Sequence, residues 1–88
     1  MIKGNHYHKR KLEWFFVMKG KAKIALKNLK TGQIHEVILS EEKFQILKIF
    51  PNVVHAIQNV GNSTLYLLAY TTEPYNPSDT DTFPNKIL

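Results

Sequence analysis

The sequence predicts an all-β protein, a small antiparallel β-barrel, and three observations predict it. Apolar, aromatic and β-branched residues cluster in short blocks of strand length. Gly, Pro, Asn and Ser punctuate the intervals between those blocks. Almost no segment carries the apolar period of a helix. At 88 residues the chain reads as one domain, with a single core of limited surplus stability.

The first clear block runs from Glu13 to Met18, and Gly20 after it suits a tight turn. Lys21 to Lys27 is the next strand, with Ala22, Ile24 and Leu26 on one face. Residues 28–32 form a loop of hairpin length that ends in Gly32. Gln33 to Leu39 returns as a strand, and residues 40–43 are a polar turn. Phe44 to Phe50 reads as an apolar strand ended by Pro51 and Asn52. Val53 to Asn59 follows, then a turn at residues 61–63, then Leu65 to Tyr70. Strands separated only by turns are expected to pair antiparallel, and they must close or stack to hide their edges. Residues 1–72 are therefore assigned to the barrel. Residues 73–88 are expected to form an irregular, Pro-rich tail packed on or near it.

Composition narrows the function classes. The chain has no cysteine, which excludes disulfides and thiolate ligands and fits a reducing cytoplasm. The longest apolar run, Trp14 to Met18, is strand-sized, and no secretory segment opens the chain. A cytoplasmic location without a membrane partner is expected. The formal charge is +5, but Lys19, Lys21, Lys23 and Lys27 alternate with apolar residues as a wet strand face does. No helix suited to a DNA groove is present, so no nucleic-acid partner is expected. The positive balance favours a substrate that carries a diphosphate.

Four histidines hold the chemistry: His6, His8, His35 and His55. His6 and His8 lie two apart, so on a strand both point to one face. Glu13 follows on the next strand, and His55 comes just after the Pro51-Asn52 turn. Three imidazoles and one carboxylate are a donor set for a divalent metal, zinc foremost, with nickel or iron as alternatives. A His-x-His pair by itself is commonly a surface or packing feature; the added positions distinguish this one. His35 matches none of them and reads as an ordinary strand histidine.

The segment Gly4-Asn5-His6-Tyr7-His8, then Glu13, then Gly20, resembles the first motif of the cupin superfamily. Pro51-Asn52-Val53-Val54-His55, continuing to Asn59, resembles the second, with Asn52 at the position of a glycine. Asparagine also tolerates a left-handed backbone, so that turn is expected to survive. The resemblance implies a jelly-roll-like barrel. It extends to the C-terminal cupin domain of capsular-polysaccharide enzymes acting on a UDP-4-keto-amino sugar, whose cupin part epimerises C3 and holds zinc. The tail from Glu73 through Pro74 and Tyr75 to Phe83 is similar to that family's ending. It is equally similar to the tail of dTDP-4-keto-6-deoxyglucose 3,4-ketoisomerases, where a histidine pair works without metal. The dTDP-4-keto-rhamnose 3,5-epimerases share a Gly-x-His-aromatic segment.

The resemblance implies His6, His8, Glu13 and His55 as metal ligands, His6 as catalytic base and His8 as its partner. It implies a nucleotide 4-keto sugar as substrate, and an epimerase or isomerase of polysaccharide biosynthesis as function. A non-catalytic metal- or sugar-binding module is the alternative. Such domains carry strands before the His-x-His segment that this sequence lacks, so an open sheet edge is expected. That edge, with Trp14, Phe15 and Phe16 placing aromatics on both faces of one strand, leads to an expected homodimer. Tyr7 is assigned to packing on the opposite face, and Tyr66 and Tyr70 to the core or its rim.

Overall fold

The computed structural model describes residues 2–88 and contains eight strands and no helix among them. In chain order these are β1 (Ile2–Tyr7), β2 (Glu13–Lys19), β3 (Lys21–Asn28), β4 (Ile34–Ser40), β5 (Leu47–Ile49), β6 (Val53–Asn59), β7 (Tyr66–Thr71) and β8 (Phe83–Pro84). They form two antiparallel sheets, one ordered β4-β3-β6-β1-β8 and the other β5-β2-β7. Among the described residues no helix is long and apolar enough to cross a membrane.

The all-β antiparallel expectation holds. The strands pair as two sheets, however, and no ladder joins those sheets among the described residues. Alternation along the strands explains the packing: Phe15 and Val17 of β2 and Ile49 of β5 meet Ala22 and Ile24 of β3 and Leu39 of β4. Each is buried, and together they form the core between the sheets. Burying a side chain of this size stabilises by roughly 1.5–3 kcal/mol.

Most connections cross between sheets. Of consecutive strands, only β3 and β4 pair as a hairpin among the described residues. Gly20 alone links β2 to β3 across the sandwich, at φ 94°, and an added Cβ there would lie 3.2 Å from the Leu65 Cα. Both the left-handed backbone and the close approach need glycine.

Three expectations change. The strand expected over residues 44–50 shortens to Leu47–Ile49, which pairs with β2. Phe44 is 77% exposed, so its apolar character reflects an outer face rather than the core. Tyr66 and Tyr70, assigned to the core or its rim, are exposed on β7, which rules out the core. β1 lies between β6 and β8, but β8 pairs only with its His6 and Tyr7 among the described residues, so the expected open edge is narrowed to residues 2–4. The covering strand comes from the tail, whose Phe83 pairs with Tyr7 and whose Pro84 pairs with His6.

Candidate functional site

Local backbone geometry builds the site. Gly4 and Asn5 adopt φ of 91° and 59°, and the β1–β6 register slips between Gly4 and His6. This bulge re-aims the strand and sets His6 opposite His55. A Cβ on Gly4 would lie 2.8 Å from the His55 carbonyl oxygen, so only glycine allows that approach. The Asn5 side chain holds the bulge by accepting hydrogen bonds from the backbone N–H of Ile87 and Leu88. On the other side, Asn52 takes the left-handed φ of 64° expected of it and donates its N–H to the His8 carbonyl.

His6, His8 and His55 converge, with ligating nitrogens all within 4.8 Å of one another. The His6 ring centroid lies 5.2 Å from that of His8 and 4.7 Å from that of His55. Glu13 joins them: its Oε1 lies 2.7 Å from His8 Nε2 and 3.2 Å from His55 Nε2. Both histidines turn the other ring nitrogen to a backbone carbonyl. His8 Nδ1 is 2.7 Å from the Asp81 oxygen, and His55 Nδ1 is 3.2 Å from the Val53 oxygen. An Nδ1–H that donates to a carbonyl leaves Nε2 as the basic nitrogen, which is how proteins orient metal-binding imidazoles. A neutral Nε2 and a carboxylate oxygen 2.7 Å apart would repel, so a proton or a cation belongs between them.

Charge states follow from the surroundings. Burial raises the Glu13 carboxyl, but hydrogen bonding and attraction from His55 and His8 outweigh it and hold the group below its ordinary value. His6 is lowered to about 4, first by burial and then by its electrostatic interaction with the neighbouring His55 and His8. It is therefore neutral at pH 7, with a free lone pair. The donor set fits a divalent ion: three imidazoles with free or freed nitrogens, one carboxylate, and backbone carbonyls orienting two of the rings.

A pH titration of the metal-free protein follows. Between about pH 6.5 and about 4 the unfolded chain binds a proton at His6 that the folded chain refuses. Stability should fall as pH drops through that window, and His6→Gln should flatten the slope. NMR titration of the His6 ring with a midpoint near 6.5 would contradict this.

Asp81 is the residue that sequence reading missed. It is 4% exposed, and its carboxylate accepts the N–H groups of Lys9, Arg10 and Lys11. Burial raises this carboxyl, yet the three backbone donors hold it below its ordinary value. Asp81 thus fixes the loop after His8 with its side chain and the His8 ring with its carbonyl. The readable signal was charge complementarity between the basic run at residues 9–11 and the acidic end of the tail, which also appears in the Arg10 pairs with Glu73 and Asp79. His35 is exposed on β4, opposite Leu26, and Tyr7 stacks on Phe83 at 5.4 Å.

A two-sheet antiparallel β domain that turns three imidazoles and a carboxylate into its interior is a domain of the cupin type. Residues 1–83 match the family described as the polysaccharide biosynthesis C-terminal domain, and the chain belongs to that family. It is 33% identical over 83 residues to a UDP-2-acetamido-2,6-beta-L-arabino-hexul-4-ose reductase of Pseudomonas aeruginosa, covering 94% of this chain and 22% of that enzyme. It superposes with a TM-score of 0.95 and 29% identity on the capsular polysaccharide assembling protein CapF of Staphylococcus aureus, covering 99% of this chain and 25% of CapF. It also matches the 3,4-ketoisomerase QdtA of Thermoanaerobacterium thermosaccharolyticum, solved with TDP, at a TM-score of 0.80 and 25% identity, covering 97% of this chain and 57% of QdtA. The chain thus spans about a quarter or less of the first two relatives. Nucleotide-sugar reductase and ketoisomerase activities recur among these relatives.

Proposed function

We propose that this chain is a metal-binding nucleotide-4-keto-sugar epimerase or isomerase of polysaccharide biosynthesis. The observation that carries the proposal is the cluster itself: a neutral, unbonded His6 facing His8, His55 and Glu13 inside the fold. A 4-keto group acidifies the neighbouring C3–H. The His6 ring takes that proton, and the C–H electron pair moves through an enolate onto the carbonyl oxygen. Return of a proton to C3 from the other face gives the epimer, and its delivery to C4, with the C3 hydroxyl proton passing to the C4 oxygen as C3 becomes the carbonyl, gives the 3-keto isomer. His8, tied between the Asp81 carbonyl and Glu13, holds a proton beside the base.

Zinc, nickel or iron would be held by His6, His8, Glu13 and His55, and when bound would supply a Lewis acid for the carbonyl oxygen. With these four side chains held as ligands none of them would be free as a base, so the proton transfer by His6 described above belongs to the metal-free protein. The deciding experiment supplies UDP- and dTDP-4-keto sugars in deuterium oxide, with metal-free and zinc-loaded protein. Deuterium should enter at C3, and elemental analysis should find about one metal per chain. If zinc binds and no exchange occurs, the chain is a non-catalytic metal-binding module instead.

A homodimer is the expected assembly. Trp14, Phe16, Phe44, Ile46, Leu68 and Tyr70 line one apolar cavity on the outer side of the small sheet, and most of them are exposed. A contiguous apolar patch of this kind fits a second copy of the chain. Light scattering should give twice the chain mass, and Phe44→Glu with Leu68→Glu should halve it. A monomer mass for the unsubstituted chain at high concentration would refute the dimer.

A further inference from the structure

The segment between His8 and β2 turns a cation inward. Leu12 carries the extended course of β2 one residue back: its carbonyl accepts the Thr72 N–H at 3.1 Å, next to the Glu13–Thr71 pair. Residues two apart on an extended segment share a face, so Lys11 lies on the side that Glu13 occupies. Burial agrees. Lys11 is 7% exposed, while Arg10 before it is exposed and pairs with Glu73 and Asp79. The Lys11 charge also reaches the cluster, where it is one of the influences that lower His6.

A lysine is seldom buried without a carboxylate to meet it. Lys11 forms no ion pair among the described residues. Its Nζ donates to the Thr80 carbonyl at 3.3 Å, which occupies one of the donors of an ammonium and leaves the others free. The nearby carboxylates are engaged elsewhere. Glu13 faces His8 and His55, and Asp81 accepts the N–H groups of Lys9, Arg10 and Lys11. A divalent ion held by the histidines would lie in the field of this ammonium, with Glu13 as the one carboxylate of the cluster. Like charges repel strongly where water is largely excluded, and an added anion relieves the repulsion.

We infer that Lys11 sets the ligand specificity of the loaded cluster: its ammonium opposes the metal ion and favours a ligand that brings an anionic oxygen. The inference rests on the metal binding proposed above and adds the charge of the molecule that shares the site. A neutral ligand of the same shape gains little from Lys11, whereas an anionic one meets both its charge and its free donors.

Two affinities test this on the 88-residue chain and on Lys11→Met, Lys11→Gln and Lys11→Arg. Zinc affinity is read by chelator competition in buffer free of coordinating anions. Acetate and its neutral counterpart acetamide are titrated against the visible spectrum of the cobalt-loaded protein. Lys11→Met and Lys11→Gln should bind zinc about tenfold more tightly and acetate about tenfold more weakly, with acetamide unchanged. Lys11→Arg keeps the charge and should follow the original chain on both counts. The opposite signs separate this role from a structural one, because a loosened loop would weaken zinc and acetate together. Lys11→Gln keeps a donor for the Thr80 carbonyl, and so serves if Lys11→Met does not fold. Zinc binding in Lys11→Gln no tighter than in the original chain would overturn the inference, and so would an unchanged acetate affinity. If the original chain binds no zinc, the metal-binding proposal itself falls and takes this inference with it.

Discussion

His6→Ala should slow exchange of the C3 proton of a UDP- or dTDP-4-keto sugar by about a hundred- to ten-thousandfold, the usual contribution of a positioned general base. His6 faces the other imidazoles at ring separations of 4.7 and 5.2 Å and is held neutral by burial and by their proximity. No other group in the cluster combines a free lone pair with that position, because His8 and His55 are both engaged with Glu13. The ring is only partly buried, so its removal should leave the sheets folded, and a cooperative thermal transition will verify that. His8→Ala should be as damaging to exchange and should also cost stability, since it removes one of the two partners of Glu13 and frees the Asp81 carbonyl. His8→Gln, which keeps a hydrogen-bonding group there, separates the two effects. His35→Ala, at an exposed site on β4, should leave exchange intact. Persistence of full exchange in metal-free His6→Ala would remove His6 from the reaction.

Asp81→Ala should destabilise the fold by about 2–4 kcal/mol, because three backbone N–H groups lose a charged acceptor in a buried setting. For a domain of this size that corresponds to a fall of roughly 10–20 °C in Tm. Asp81→Asn, which keeps one acceptor oxygen without the charge, should recover part of it. The depressed carboxyl sets the sign of the pH effect. The folded state holds Asp81 ionised more strongly than the unfolded chain does. Its contribution is present above the ordinary carboxylate range and is lost as pH falls through the folded value. Asp81→Ala should therefore lie furthest from the original chain near neutrality and converge on it in acid. A thermal scan that finds the same Tm for both at pH 7 would show the cap to be dispensable.

The sequence alone determined the class of the fold and the members of the cluster. Alternation at Ala22, Ile24 and Leu26 is a local property of the strand, and so is the punctuation by Gly20, Gly32 and Asn52. The placement of His6, His8, Glu13 and His55 at fixed offsets made their convergence legible before any coordinates. Apolar character alone misled at Phe44, because it records hydrophobicity and not which side of a sheet a residue occupies.

Tertiary structure decided the rest. Pairing of β1 with both β6 and β8 joins segments far apart in the chain, and no local pattern encodes which strand lies beside which. The tail shows this most clearly. Its prolines and polar residues read as an irregular ending, yet Phe83 completes the sheet beside Tyr7 and Asp81 caps the loop after His8. A buried carboxylate is stable only where donors converge on it, and those donors come from residues about 70 positions earlier in the chain. The apposition of His6 and His55 has the same origin. It depends on a one-residue slip between two strands, so it exists only once they are paired.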